Sequence, residues 1–157
     1  MNKQANLFAC TSLGIAVILT LSTSAFASLG DNESSIDKDG QSMKAAHQKS
    51  QVPGQAYTVH TLTTSTVTVK EYLSTSGVVF AVSWRGAAKP DLSALLGSYY
   101  TEFSAASAKM EKGHGRHAIN VKSAKVTVSS GGHMRDLHGK AFAPDLVPAG
   151  VNVETLQ

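Results

Sequence analysis

Cysteine is nearly absent from this sequence, since Cys10 is the single one among 157 residues. Cys10 precedes most of an N-terminal apolar run, whereas the acylated cysteine of a lipoprotein follows such a run, which excludes a lipid anchor there. The chain after this run therefore cannot form a disulfide, an iron–sulfur cluster or a cysteine-bound zinc site. Its stability has to come from a packed apolar core.

Charge is also sparse, and no basic run is present. Asp, Glu, Lys and Arg make up only 16% of the chain, and the formal net charge of +3 is spread thinly along it. Aromatic residues do not alternate with basic ones, so the composition gives little support to a nucleic-acid partner. The length suits one domain.

The N-terminus has the pattern of a secretory signal peptide. Lys3 precedes an apolar run at residues 7–21, and the small-x-small pattern of Ala25, Phe26 and Ala27 follows it. The apolar run is shorter than the roughly 20 residues that span a bilayer. We therefore expect cleavage after Ala27 and an exported mature chain, periplasmic or extracellular, without a membrane span.

Residues 28–56 show no period and few large apolar residues, and Pro53 and Gly54 lie near their end. Such a composition is typical of a flexible segment. We predict a signal peptide at residues 1–27, a flexible leader at 28–56 and a single domain at 57–157.

From residue 57 the apolar pattern has a period of two, which indicates β-strands. Three such runs, at residues 57–64, 66–73 and 77–86, are separated by hairpin-sized spacers. On one face the third run places large apolar side chains: Val78, Phe80, Val82 and Trp84.

A helical period follows at residues 90–113. Pro90 and Asp91 mark its start and Gly113 its end. Gly97 lies off the pattern, which points to the close approach of another backbone, such as a strand under the helix. The apolar stripe has the spacing of one helix face: Leu92, Leu95, Leu96, Tyr99, Phe103 and Ala106.

Two or three further strands are expected between residues 117 and 143, which gives the order β-β-β-α-β-β(-β). Because the strands cluster instead of alternating with helices, the pattern favours an α+β domain. We predict an antiparallel sheet of about five or six strands, covered on one face by one long amphipathic helix. The apolar stripe of this helix and the apolar face of the third strand are expected to bury each other.

Four histidines raise the question of a metal site: His114, His117, His133 and His138. On one strand His133 and His138 would face opposite sides about 16 Å apart, and on a helix they would diverge by about 140°. Neither geometry lets both bind one metal ion. Only a tight turn could bring them together, and Gly131 and Gly132 lie before the pair. We therefore expect no metal or cofactor, and a site that takes histidines from both pairs is the weaker alternative.

Catalytic motifs give no support to an enzyme. No G-x-S-x-G elbow is present in the sequence. Ser35 and Lys38 match S-x-x-K, but they lie in the predicted leader, where nothing would desolvate the lysine. Residues 113–118 match a dinucleotide fingerprint formally, but they follow a helix and precede a strand, which is the reverse of the required context.

Several runs make the chain resemble an exported bacterial family, domain-of-unknown-function family 2844, over roughly residues 34–154. The runs are YTVHTL, VKEYLSTSGVVFAVSWRG, PDLSALLGSYY, SGGHMRDLHGKAF and PDLVPAGV. The resemblance implies export and a single domain, and it supplies no catalytic residues.

Trp84 and Arg85 end the third strand. The commoner role of such a pair is to close the core with the tryptophan and leave the arginine in water, and the alternative is a recognition patch. We hypothesise that His133 and Arg135 of the GGHMR run join Trp84 and Arg85 in a surface that binds a ligand or partner.

The sequence thus favours an exported, non-enzymatic binding or envelope-associated module, with a small ligand or another envelope protein as its partner. A metal-dependent or hydrolytic enzyme that uses the histidines of residues 114–138 is one alternative. A structural component of an envelope assembly is another.

Cleavage after Ala27 is directly testable. When the full chain is expressed in a Gram-negative host, the periplasmic fraction should contain a protein whose intact mass corresponds to residues 28–157. An intact mass that retains residues 1–27, or a product that begins elsewhere, would contradict this prediction.

Overall fold

The computed structural model describes residues 28–36, 44–110 and 118–157. The predicted signal peptide lies outside the described residues, as do His114 and His117. Within the described ranges, no helix is long and apolar enough to cross a membrane.

Seven strands form one antiparallel sheet in the order β1-β2-β3-β4-β7-β6-β5 among the described residues. A four-strand meander (β1 to β4) and a three-strand meander (β5 to β7) meet where β4 pairs with β7. The mixed α+β class is confirmed, whereas the strand count and order differ from the prediction. The strands are β1 Ala46–Gln51, β2 Tyr57–Thr63, β3 Val67–Ser74, β4 Val79–Gly86, β5 Ile119–Lys122, β6 Thr127–His133 and β7 Asp136–Phe142.

The additional strand, β1, lies in the segment that the sequence predicts to be a flexible leader. All six of its residues are exposed, so no alternation of apolar residues marks it in the sequence. Main-chain pairing with β2, with Ala46 opposite Thr63, holds it at the sheet edge. Leu29 and Ile36 of the same segment are fully buried. The structure therefore differs from the prediction of a flexible leader at these residues.

The predicted helix is present but interrupted. Asp91 caps its start by accepting a hydrogen bond from the Ser93 backbone N–H at 2.9 Å. At Gly97 the chain has φ 49°, and a Cβ there would lie 2.2 Å from Ser28 Oγ. The close approach predicted at Gly97 is real, but a side chain of the N-terminal segment makes it instead of a strand. The helix consists of α1 Leu92–Leu96, a 3₁₀ turn at Gly97–Tyr99 and α2 Tyr100–Ala108.

The helix covers one side of the sheet, here called the first face. Val82 and Trp84 pack there with the helical residues Leu92, Leu95 and Phe103, as the periodicities predict. The predicted face of the third strand is wrong at the start of the strand, because Val79 packs on the first face and Phe80 does not. A register shift between β3 and β4 moves Phe80 to the opposite side, here called the second face, where it contacts Tyr57 and Tyr72.

The second face is only partly covered. Residues 144–157, the C-terminal segment, cross it and bury its apolar part. The hydroxyl of Tyr72 donates to the carbonyl oxygen of Gln157 at 2.8 Å and helps to hold the end of this segment. The buried residues of this second cluster are Val59, Tyr72, Phe80, Ala81 and Leu156.

Two polar side chains, those of His60 and Glu71, are buried within the four-strand meander. His60 and Glu71 face each other on β2 and β3 and are 2% and 1% exposed. His60 Nδ1 lies 3.0 Å from His47 Nε2, and His60 Nε2 lies 3.5 Å from Glu33 Oε1. These contacts connect β1 and the N-terminal segment to the sheet.

Gly139 offers a test of the packing at the centre of the sheet. A Cβ there would lie 2.3 Å from Trp84 Cζ2 and 2.6 Å from the Ser129 carbonyl oxygen. We expect Gly139→Ala to lower the free energy of unfolding by about 1–3 kcal/mol, because neither neighbour can move freely.

Gly131 provides the matched control. A Cβ at Gly131 would make only ordinary contacts, the closest at 3.5 Å from Ala118 Cβ. Gly131→Ala should change the stability by less than about 0.5 kcal/mol in urea unfolding. Equal unfolding midpoints for the two variants would contradict the packing argument.

Candidate functional site

A cleft of about 760 Å³ opens on the second face, beside the C-terminal segment. Small-molecule sites in proteins commonly have volumes of about 300–1,000 Å³. The cleft lies over the part of the second face that the apolar residues of the C-terminal segment leave uncovered.

Two rows of cross-strand neighbours form the floor of the cleft. Residues directly opposite one another in an antiparallel sheet share a face, and neighbouring strands are about 4.7–4.9 Å apart. The first, the lysine row, contains Lys70, Ser83, Lys140, Ser129 and Asn120. The second, the arginine row, lies two residues further along the strands and contains Thr68, Arg85, His138 and Gly131.

Strand alternation explains why these rows are polar. On β4, Val82 and Trp84 enter the core under the helix, so Ser83 and Arg85 face the opposite side. On β7, Ala141 enters the core in the same way and Lys140 lines the cleft. The residues that build the core therefore also fix the direction of the cleft side chains.

The C-terminal segment forms one wall of the cleft and supplies hydrogen-bond acceptors to both lysines. Lys70 Nζ donates to a main-chain oxygen of Gln157, the last residue of the sequence, at 2.8 Å. Lys140 Nζ donates to Glu154 Oε2 at 2.8 Å and to the Val153 carbonyl oxygen at 3.1 Å. The hydrogen bond from Lys140 holds the pKa of Glu154 below its ordinary value, so this carboxylate is charged at neutral pH.

An ion pair lies at the outer end of the arginine row. Arg85 donates two hydrogen bonds to the Asp136 carboxylate, from Nε at 2.8 Å and from Nη2 at 3.0 Å. This bidentate contact lowers the pKa of Asp136. Because both side chains are largely exposed, at 73% and 52%, solvent screens the pair and it adds little to stability.

Three of the four residues predicted to form a recognition surface come together at this end of the sheet. Arg85 binds Asp136, Asp136 pairs with His133 in the β6–β7 hairpin, and Arg135 lies in the turn between these strands. Trp84 is 3% exposed and packs over Gly139 in the core. The structure therefore does not bring the Trp84 side chain to the surface that holds Arg85.

His133 and His138 share the second face, and the expectation that they face opposite sides is wrong. A turn at Met134 and Arg135 lies between them and reverses the chain. His138 is opposite Gly131, so His133 is its diagonal neighbour, at a Cα–Cα distance of about 7–8 Å. Within residues 28–36, 44–110 and 118–157, no three His, Cys, Asp or Glu side chains lie close enough to hold a metal ion.

The sequence predictions missed the lysine row and Glu154. Lys70 on β3 and Ser83 on β4 each lie between two buried residues. Strand alternation alone would therefore have placed both side chains on the face opposite the helix. Nothing local predicts that Ser83 pairs with Lys140, since this contact joins strands separated by the whole helix.

The family comparison agrees with the resemblance seen in the sequence. A family model described as "Protein of unknown function (DUF2844)" matches residues 25–156. No curated protein and no solved structure match the chain.

Arg135 has φ 69°, in the left-handed region that disfavours residues with a Cβ. We expect Arg135→Gly to raise the free energy of unfolding by about 1 kcal/mol, because glycine adopts this conformation without steric strain. Met134→Gly, at the neighbouring position of the same turn, should instead lower it by about 0.5–1 kcal/mol. Thermal unfolding of the two variants measures this difference, and a loss of stability in Arg135→Gly would show that the turn is not strained.

Proposed function

Because the chain belongs to the DUF2844 family, whose description assigns no activity, we propose its function from its own geometry. We propose that the protein is an exported, non-enzymatic module that binds a small polar ligand in the cleft. The observation that supports this proposal is the division of the second face. Its apolar part is covered by the C-terminal segment, and two rows of mostly polar residues form the floor of the cleft beside it.

The position of Ser28 is compatible with export and cleavage after Ala27. Ser28 is 7% exposed, and its hydroxyl donates a hydrogen bond to Asp31. The next residue, Leu29, is fully buried, and its backbone N–H donates to the Leu95 carbonyl oxygen at 3.0 Å. A mature chain that begins at Ser28 would thus keep both contacts, the second of which is made with the helix.

The chemistry of the cleft favours binding over catalysis. Ser83 is a nearly buried hydroxyl on the floor of the cleft, and it lies 3.3 Å from the Tyr72 hydroxyl. A serine nucleophile needs a general base within hydrogen-bond reach. Burial raises the pKa of Tyr72, so its hydroxyl stays protonated at neutral pH and does not take up the serine proton. His138 lies in the neighbouring row, opposite Arg85 and not opposite Ser83.

A blocked cleft tests the proposal. The mature chain and Gly131→Phe, purified from the periplasm, would be compared by native mass spectrometry for bound small molecules. Both would then be titrated with the small-molecule fraction of a periplasmic extract while backbone NMR signals are followed. We expect a ligand, or shifts at cleft residues, in the unmodified chain only, because Gly131 lines the cleft and an aromatic side chain there fills it.

Thr63→Tyr is the matched control, because it adds an aromatic ring at an exposed strand position outside the cleft. This variant should bind as the unmodified chain does. Shifts that map outside the cleft, equal binding by Gly131→Phe, or the absence of any ligand and any shift would overturn the proposal.

A further inference from the structure

We propose that the cleft recognises an oxyanion, a carboxylate or phosphate group of a small molecule, at a site formed by Thr68, Lys70, Ser83 and Arg85. This inference rests on the proposed function, since it names the ligand chemistry of the same cleft. The four residues are called the T-K-S-R site below.

The register of β3 and β4 brings the four side chains together. Lys70 is opposite Ser83, and Thr68 is opposite Arg85. The two cationic residues therefore occupy one diagonal of a four-residue square, and the two hydroxyl residues occupy the other. Diagonal neighbours in an antiparallel pair lie about 7–8 Å apart, within reach of long side chains, so Lys70 and Arg85 can close on one anionic group.

The charges that line the cleft are predominantly positive. Lys70, Arg85 and Lys140 are cationic, and Glu154 is the one acidic side chain among the described residues that line it. Glu154 binds Lys140, on the side of the cleft away from β3. Asp136 binds Arg85 from the outer end of the sheet and does not line the cleft. Lys70 instead donates to a main-chain oxygen of Gln157, the last residue of the sequence.

Both cations of the T-K-S-R site have hydrogen-bond donors to offer. The Lys70 ammonium group has three N–H donors, and one of them is directed to a main-chain oxygen of Gln157. The Arg85 guanidinium group has five, and Asp136 accepts from two of its nitrogens. Charge-assisted hydrogen bonds to an oxyanion are among the strongest that a protein surface makes, and two hydroxyl groups add further donors.

The probes are inorganic phosphate, succinate and succinamide, the uncharged diamide of succinate. Each is titrated into the mature chain at low ionic strength, with backbone NMR signals of β3 and β4 followed. We expect phosphate, succinate or both to shift the signals of residues 68–70 and 83–85, and succinamide to bind at least about tenfold more weakly. A response to phosphate alone assigns a phosphorylated ligand, and a response to succinate alone assigns a carboxylic acid.

Charge removal tests the residues themselves. Lys70→Met and Arg85→Met keep most of the side-chain length, and each should weaken the binding of the responding anion by about tenfold or more. Lys125→Met is the matched control, because it removes the same charge from an exposed turn that does not line the cleft. It should change the affinity by less than about twofold.

Tyr72→Phe separates recognition from the anchoring of the C-terminal segment. It removes the hydrogen bond from Tyr72 to the same Gln157 main-chain oxygen that Lys70 contacts, without a change of charge. The variant also removes the contact of this hydroxyl with Ser83, whose own hydroxyl group stays in place. We expect anion affinity to be retained in this variant. Loss of affinity equal to that of Lys70→Met would show that Lys70 acts through the C-terminal segment, which contradicts direct recognition.

Failure of this inference can be told from failure of the proposed function. Binding of succinamide as tight as that of succinate, or equal losses in Lys70→Met and Lys125→Met, overturns the oxyanion assignment. So does the absence of shifts at β3 and β4 with either anion. In each case a ligand from the extract that Gly131→Phe excludes would still support the cleft as a binding site.

Discussion

The pairing of β4 with β7 is the contact on which the rest of the structure depends. It joins a meander formed before the helix to one formed after it, and its register places Trp84 opposite Gly139. Gly139 leaves the space that the indole ring occupies in the core. Because successive residues of a strand face opposite sides, a slip of one residue would expose the tryptophan and turn the cleft side chains inward. Packing on the first face therefore fixes the arrangement of the polar rows on the second.

Much of the local structure follows from the sequence, and the reasons are visible in particular residues. The apolar spacing from Leu92 to Phe103 predicts the helix that covers the sheet, and Asp91 caps it as expected. The alternation on β2, β3 and β4 likewise predicts three paired strands. The period is strong where one face of an element packs in the core and the other face does not.

The features that the sequence did not predict are those that leave no such period. β1 is exposed along its whole length, so only its main-chain pairing defines it. The register shift near Phe80 reverses the alternation at the start of β4, so Val79 packs on the first face and Phe80 on the second. The β6–β7 turn is formed by Met134 and Arg135, whose side chains are not typical of hairpin turns. Because this turn was missed, His133 and His138 were assigned to opposite faces.

The candidate site was predicted only in part. Some of its residues can be recognised from the local sequence, whereas others come together only through the pairing of distant strands. Arg85, His133 and Arg135 were identified because they lie in unusual local sequence, and they do lie near one another. Lys70, Ser83 and Lys140 are ordinary residues of alternating strands, and the site they form exists only after the two meanders have paired. The sequence contains the polar faces of the strands, but their order in the sheet is a property of the tertiary fold.

The C-terminal segment connects the core to the cleft. Leu156 packs against Tyr72 and Phe80 and completes the apolar part of the second face. The same segment contacts Lys70 through a main-chain oxygen of Gln157, and it contacts Lys140 through the Glu154 carboxylate and the Val153 carbonyl. Because residues that cover the apolar part of the second face are continuous with residues that bind both lysines, one position of the segment fixes both the apolar cover and the polar wall of the cleft.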